Sequence, residues 1–379
     1  MSRFVFWIAS SLLAWTQVGY ALVVGVLGAR HRRTAHPPPR PGAEPPRISL
    51  IVAAHREESV IAAKVADALA LDWPPGRLEI IVAVDGGADA DADATALRAR
   101  EAGADLVLEL RRGGKVRAQD AAVARASGEL LAFSDANAAW EPDALRHLAF
   151  AFEDPAVGYA CGRVTFSNES GSNQEGLYWR YEMWIRGNES RLASVTAGNG
   201  AIYAVRAGAY IEVDPVMGHD LSLPFNLVKR GWRAVDVPEA RATEKMVPSI
   251  EGEWARKRRM MSHAWPIVIR GGLLDLRGYP PRYAGMVLSH RGLRYATPLL
   301  HLLVLATSTR LARGGRLYRV ALGAQIALLA AAATAPRAAS RPLLVARYYV
   351  LTTASLAAGL YDWARHGTPA GWDAPEGTR

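Results

Sequence analysis

Three aspartates in this chain sit at the edges of apolar stretches, where a carboxylate can meet a ligand. Asp85 closes the run EIIVAVD and is followed by Gly86 and Gly87. A carboxylate there can accept from a ribose hydroxyl or a base edge, and the glycines let a ligand approach the backbone. The same Asp-Gly pair also makes an ordinary solvated turn. Asp135 closes ELLAFSD, with Asn137 two residues on. Its carboxylate and the weaker amide oxygen suit Mg or Mn, hard cations that take one or two protein carboxylates plus phosphate oxygens and water. A helix N-cap is the plain alternative. Lys115 follows two glycines and opens an Ala-rich stretch, a place for a diphosphate contact or for a surface turn. Asp220, beside His219, opens a second helical pattern. It can take a proton from an attacking hydroxyl, with His219 the competing base by its intrinsic pKa and a helix cap the third reading. Arg256 and Arg259, in EWARKRRM, suit phosphate or lipid head groups.

The elements that must position these groups follow from hydropathy. ISLIVAA from Ile48, EIIVAVD and ELLAFSD read as short strands, separated by helix-compatible segments at 59–71, 94–102 and 116–126. Alternating strand and helix predicts an α/β fold with a mostly parallel sheet, and ligands on such sheets collect at the carboxyl ends of the strands. Asp85 and Asp135 stand at two such ends.

Residues 4–28 carry no charge and are long enough to cross a bilayer as a helix. The run ends in Arg30-His31-Arg32-Arg33 rather than a small-residue cleavage site, which predicts an uncleaved anchor with the following domain on the cytoplasmic side of the plasma (inner) membrane. Residues 34–47 form a proline-rich linker. From Trp254 to His290 the chain is basic and amphipathic, as at a membrane surface. Three further apolar runs follow, at 295–309, 320–336 and 342–361. The expected organisation is therefore an anchor (1–33), a linker (34–47), a catalytic domain (48–262), an interfacial region (263–292), multi-pass membrane segments (293–362) and a tail (363–379). If all three late runs cross, the Arg310–Arg319 loop lies outside, against the positive-inside tendency, so one of them is re-entrant or interfacial in the alternative topology.

The net charge of +9 does not point to nucleic acid, because Arg291, Arg294, Arg310, Arg313, Arg316 and Arg319 flank apolar runs, where anionic lipid attracts them. The single cysteine, Cys161, excludes an internal disulfide framework and a Cys-rich zinc site.

In this order the motifs resemble the family 2 glycosyltransferases, the group that includes cellulose, hyaluronan and poly-N-acetylglucosamine synthases and ceramide glucosyltransferase. The likeness is strong over residues 48–259 and weak in the tail. It implies a GT-A fold and an inverting transfer from a nucleotide sugar, UDP-linked, with a divalent cation. The first strand and IVAAHREES carry Ala53 and Glu57, with Arg56 where Asn is usual. By this resemblance Asp85 binds uridine and acts mainly on donor KM, Gly114, Lys115 and Ala118 form the G-K-x-x-A element, and Asp135 holds the metal. GNGAIYAVR places Asn199 and Gly200 near the donor sugar, and Asp220 is the base. Arg256 and Arg259 match the Q/R-x-x-R-W motif, whose Trp is Met260 here, a departure that speaks against a long polymer. The acceptor is then a cell-surface glycan or polysaccharide, or a membrane lipid or polyprenyl phosphate. A catalytically silent scaffold is the third reading.

Overall fold

The computed structural model describes residues 1–31, 44–167, 174–245, 250–338 and 340–371, so residues 34–43 of the expected linker and 372–379 of the tail lie outside the described residues. Helices α1 (Ser2–Ala14) and α2 (Tyr20–Arg30) continue through one π-helical turn, Trp15–Gly19, into a single 29-residue helix. Next come β1 (Ile48–Ala54), α3 (Ile61–Leu69), β2 (Leu78–Asp85), α4 (Thr95–Glu101), β3 (Leu106–Leu110), α5 (Lys115–Val123) and β4 (Leu130–Asp135). All seven residues of β1 are buried, the pattern of a parallel strand covered on both faces.

The chain then runs through β5 (Ala139–Trp140), α6 (Ala144–Ala151), β6 (Val157–Ser167), α7 (Gln174–Leu192), β7 (Ile202–Arg206), α8 (His219–Lys229) and β8 (Arg233–Lys245). The strands form one eight-stranded sheet in the order β3-β2-β1-β4-β7-β6-β8-β5. Strands β3, β2, β1 and β4 are mutually parallel, whereas β7 runs antiparallel to both β4 and β6. Strand β8 pairs parallel with β6 and antiparallel with β5, so the sheet is mixed, with most of its pairings parallel as expected.

Register fixes the site. Ala53 of β1 pairs with Ala83 and with Asp135, so the carboxyl ends of β2 and β4 lie at one edge, either side of β1. Phe133 stacks on its cross-strand partner Tyr203 with ring centroids 4.7 Å apart, which clamps β4 to β7 two residues before Asp135. Cys161 is fully buried in β6, opposite Tyr203.

The C-terminal part contains α9 (Ile250–Ile269), α10 (Pro281–Met286), a π-helical turn (Val287–Gly292), α11 (Leu293–Leu311), α12 (Arg316–Ala338) and α13 (Arg341–His366). The expected limit at 262 falls inside α9, which packs along α13. Among the described residues three helices are long and apolar enough to cross a membrane: Ser2–Arg30, Arg316–Ala335 and Arg341–His366. The expected segment 295–309, within α11, is not one of them; this helix carries Arg294 and His301, and His301 Nε2 lies 2.8 Å from Tyr349 Oη. α2 meets α7 closely, because a Cβ at Gly25 would lie 2.3 Å from Trp184 and one at Gly28 2.3 Å from Asn188. Small residues at such crossings let helix backbones approach.

Candidate active site

Asp85 is buried at the end of β2, and its carboxylate is already engaged. Oδ1 accepts from the backbone N–H of Gly113 at 2.6 Å and of Gly114 at 3.1 Å, and Oδ2 accepts from Gly114 at 3.1 Å. Gly114 has φ +94°, a conformation that glycine adopts without strain, and it directs these two N–H groups at one carboxylate. The result is a fixed start for α5, with Lys115 as its first residue. Beside this turn lies a cavity of about 290 Å³ lined by His55, Arg56, Asp85, Gly87, Asp89 and Arg112, among others. Arg56 sits there with φ +53°. Asn tolerates that left-handed backbone far better than Arg, which gives a physical reason for the Asn usual at this position in the resemblance.

Lys115 reaches across to form an ion pair with Asp135. Burial alone would push its ammonium down, but Asp135, Asp220 and Glu244 together hold it up. This cluster opens onto the second and larger cavity, about 890 Å³, whose wall also carries Glu57, Asn137, Gly200, Arg256 and Arg259. Gly200 faces the pair directly, since a Cβ there would lie 3.4 Å from Lys115 Nζ.

Asp220 enters the same cavity from the first turn of α8. Its backbone oxygen accepts from Gly198 N–H at 2.7 Å, tying the 197–200 loop to it. Burial pushes its carboxyl up, with Asp135 adding and Lys115 opposing. His219 is placed differently. Its Nδ1 lies 2.9 Å from Tyr203 Oη and its Nε2 3.4 Å from Tyr210 Oη, and burial, helped by Lys115, pushes the imidazole down to about 3. Of the two neighbours Asp220 is the stronger base, because a base gains strength as the pKa of its conjugate acid rises.

Most of the residues singled out in the sequence therefore share one wall: Glu57, Lys115, Asp135, Asn137, Gly200, Asp220, Arg256 and Arg259. Asp85 lines the adjoining smaller cavity. Ala53 and Asn199 line neither. Ala53 is packed within β1, and Asn199 commits its amide to the fold, donating to Gly162 O at 2.6 Å and accepting from Ile202 N–H at 2.9 Å.

Glu244, near the end of β8, was not singled out in the sequence, because no motif marks it. It lines the large cavity, and burial together with Asp135 pushes its carboxyl up to about 7. The folded chain thus holds this proton more tightly than an ordinary glutamate. Its contribution to stability is complete below the usual carboxylate value and is lost as pH rises through about 7. Glu244→Gln is expected to raise stability by roughly 2 kcal/mol at pH 8 and to change little at pH 4. Thermal unfolding with a chelator present checks this, and equal shifts at both pH values would refute it.

The donor set suits a divalent cation of the Mg or Mn type. Asp135 and Asn137 offer oxygen on one wall, and Lys115 is the cation at Asp135 in the structure. Among the described residues there is no group of three or more His, Cys, Asp or Glu side chains arranged to hold a metal.

The family model described as "Glycosyltransferase like family 2" matches residues 45–262, more than half of the chain. The chain is 27% identical over 281 residues to an N-acetylglucosaminyltransferase of Rhizobium sp. (strain N33), covering 69% of this chain and 61% of that protein. It is also 27% identical over 248 residues to a beta-monoglucosyldiacylglycerol synthase of Trichormus variabilis, covering 59% of this chain and 51% of that one. These matches span between half and three fifths of the relatives' own lengths. Among solved structures, the mannosyltransferase PcManGT from Pyrobaculum calidifontis, in complex with GDP-Man and Mn2+, superposes with a TM-score of 0.70 at 21% identity, covering 96% of this chain and 100% of that one. The shared fold is of the GT-A type, with apolar helices at both chain ends.

Proposed function

Because the chain belongs to the family 2 glycosyltransferases, we propose that it transfers a sugar, with inversion, from a UDP-sugar bound across its two adjoining cavities to an acceptor beside Asp220. The observation that carries this reading is the meeting of Lys115, Asp135 and Asp220, from three separate elements, on one wall next to the Asp85 turn.

In this reading the nucleoside occupies the smaller cavity and its diphosphate passes over Gly113 and Gly114 towards Lys115 and Asp135. Asp220 accepts the proton of the acceptor hydroxyl while that oxygen bonds to the anomeric carbon. The bond from that carbon to the diphosphate breaks, and its electron pair leaves with the nucleotide. Lys115 offsets the charge that develops there. Asp135 and Asn137 would hold a divalent cation, which would supply further neutralisation of that charge. Arg256 and Arg259 line the same cavity and add positive charge. Glu57 helps to shape it, and Ala53 and Asn199 serve by holding strand and loop in place. The catalytic domain faces the cytoplasm, and the crossing helices fix it to the inner membrane.

Two acceptor classes fit the family, a glycan and a membrane lipid, and one observation favours the lipid. The large cavity runs from the carboxylates into the helical bundle, where Tyr295, Val345, Tyr348, Thr352 and Leu356 line it. An acceptor anchored in the bilayer reaches Asp220 by that limb. The relative named as a beta-monoglucosyldiacylglycerol synthase supports the same choice.

A panel of nucleotide sugars with Mg or Mn, tested on detergent-purified protein for nucleotide release, is expected to single out a UDP-sugar. Failure of every donor to bind would end the proposal. The Asp85 turn gives a second expectation. Because one carboxylate both borders the nucleoside cavity and fixes the start of α5, Asp85→Ala is expected to raise donor KM by about tenfold and to lower kcat as well. Steady-state kinetics reads both, and an unchanged KM removes Asp85 from the donor site.

A further inference from the structure

Glu189 is a buried carboxylate in the last turn of α7, a costly position on two counts. Acidic groups are unfavourable at a helix C-terminus, and a buried charge is costly unless paired. Its partners come from three separate parts of the chain. Tyr20 of the membrane helix donates to Oε1 at 2.5 Å. His290, in the π-helical turn before α11, places Nδ1 2.7 Å from the same oxygen. Oε2 accepts from the backbone N–H of Thr196 at 3.3 Å and from its hydroxyl at 3.0 Å, and Arg291 Nε donates to that hydroxyl at 2.9 Å. The other nitrogen of His290 lies 3.2 Å from Glu182 Oε2, and Arg294 closes the cluster against Glu182 and Tyr178.

Thr196 opens the segment whose Gly198 N–H holds Asp220 and whose Gly200 faces the Lys115–Asp135 pair. Local rules broken at one place, and satisfied only by distant partners, mark functional positions. The membrane helix also meets the His290 turn through Trp15 Nε1, which donates to Ser289 Oγ at 3.1 Å, so two π-helical turns face each other there. Such turns recur at functional sites.

We propose that Glu189 is a positioning residue for the transfer reaction: held by Tyr20 and His290, it fixes the 196–200 loop and thereby Asp220, so that the N-terminal membrane helix is part of the support of the active site as well as an anchor. The inference rests on the reading of Asp220 as the base.

The test uses the full chain in detergent with Tyr20→Phe and Glu189→Gln. Tyr20→Phe removes one hydroxyl outside the cavity and is expected to lower kcat about tenfold with donor KM within about twofold. Glu189→Gln is expected to lower kcat about 100-fold. Hydrogen exchange supplies a readout that needs no turnover. Residues 194–200 should exchange about tenfold faster in Tyr20→Phe while β1, β2 and β4 stay protected. Exchange in 194–200 unchanged from wild type, or kcat preserved in both variants, overturns the proposal. Faster exchange there without any turnover by wild type keeps the link between helix and loop and removes the transferase reading instead.

Discussion

Asp220→Asn is expected to fold, bind donor and lose transfer by about 10³-fold, the scale of a positioned general base. The substitution is nearly isosteric, and the contact that ties Asp220 to its loop, from Gly198 N–H, goes to the backbone oxygen, which Asn keeps. Only the ability to accept a proton is lost. His219 does not take over, since its imidazole is pushed down to about 3 and both its nitrogens face tyrosine hydroxyls. The wild-type profile carries the same signature. Burial raises the Asp220 carboxyl, and the base must be ionised to work, so kcat should fall on acidification at a pH above the ordinary carboxylate range. Initial rates across pH, with donor binding by calorimetry, decide the matter; near-normal turnover in the variant would hand the role to another group.

Removal of Asp135 should be at least as damaging, by a different route. In Asp135→Ala the Mn dependence of donor binding is expected to disappear, and turnover to fall by 10³-fold or more, because diphosphate charge is then met without the cation that Asp135 would hold. Lys115 itself loses its ion-pair partner Asp135 in a buried site, which leaves Asp220 and Glu244 to hold its ammonium against burial. Treating wild type with EDTA should reproduce the binding defect, and EDTA should do nothing further to the variant. Mn-stimulated turnover surviving in Asp135→Ala would dismiss both the cation site and the residue.

The half of the fold that carries these groups could be read from the sequence for a simple reason. Parallel strands buried on both faces leave continuous apolar runs, so β1, β2 and β4 announce themselves, and Asp85 and Asp135 stand out as the charged residues at the carboxyl ends of β2 and β4. LVLEL, which forms β3 at the sheet edge, is half-exposed and short, and it gave no such signal. β8 reads RAVDVPEARATEK, with a proline and alternating charges, and its strand character comes from pairing with β6 rather than from its own composition. Glu244 lay hidden for that reason. Asp85 was legible as a site residue, but its grip on the Gly113–Gly114 turn was not, since that contact needs φ +94° at Gly114. The Tyr20–Glu189–His290 cluster joins residues up to 270 positions apart, beyond any local pattern.

Cys161 offers an experimental handle that its chemistry would not suggest. It is the chain's sole thiol, fully enclosed in the sheet, and burial pushes it up to about 12, so at neutral pH it is neither reachable nor a thiolate. A maleimide or disulfide reagent can therefore modify it only when the sheet opens, and the labelling rate becomes a native clock for global unfolding. The same silence means that spectroscopic labels on newly introduced surface cysteines, on the exposed face of the N-terminal helix for example, would report without background from the parent protein.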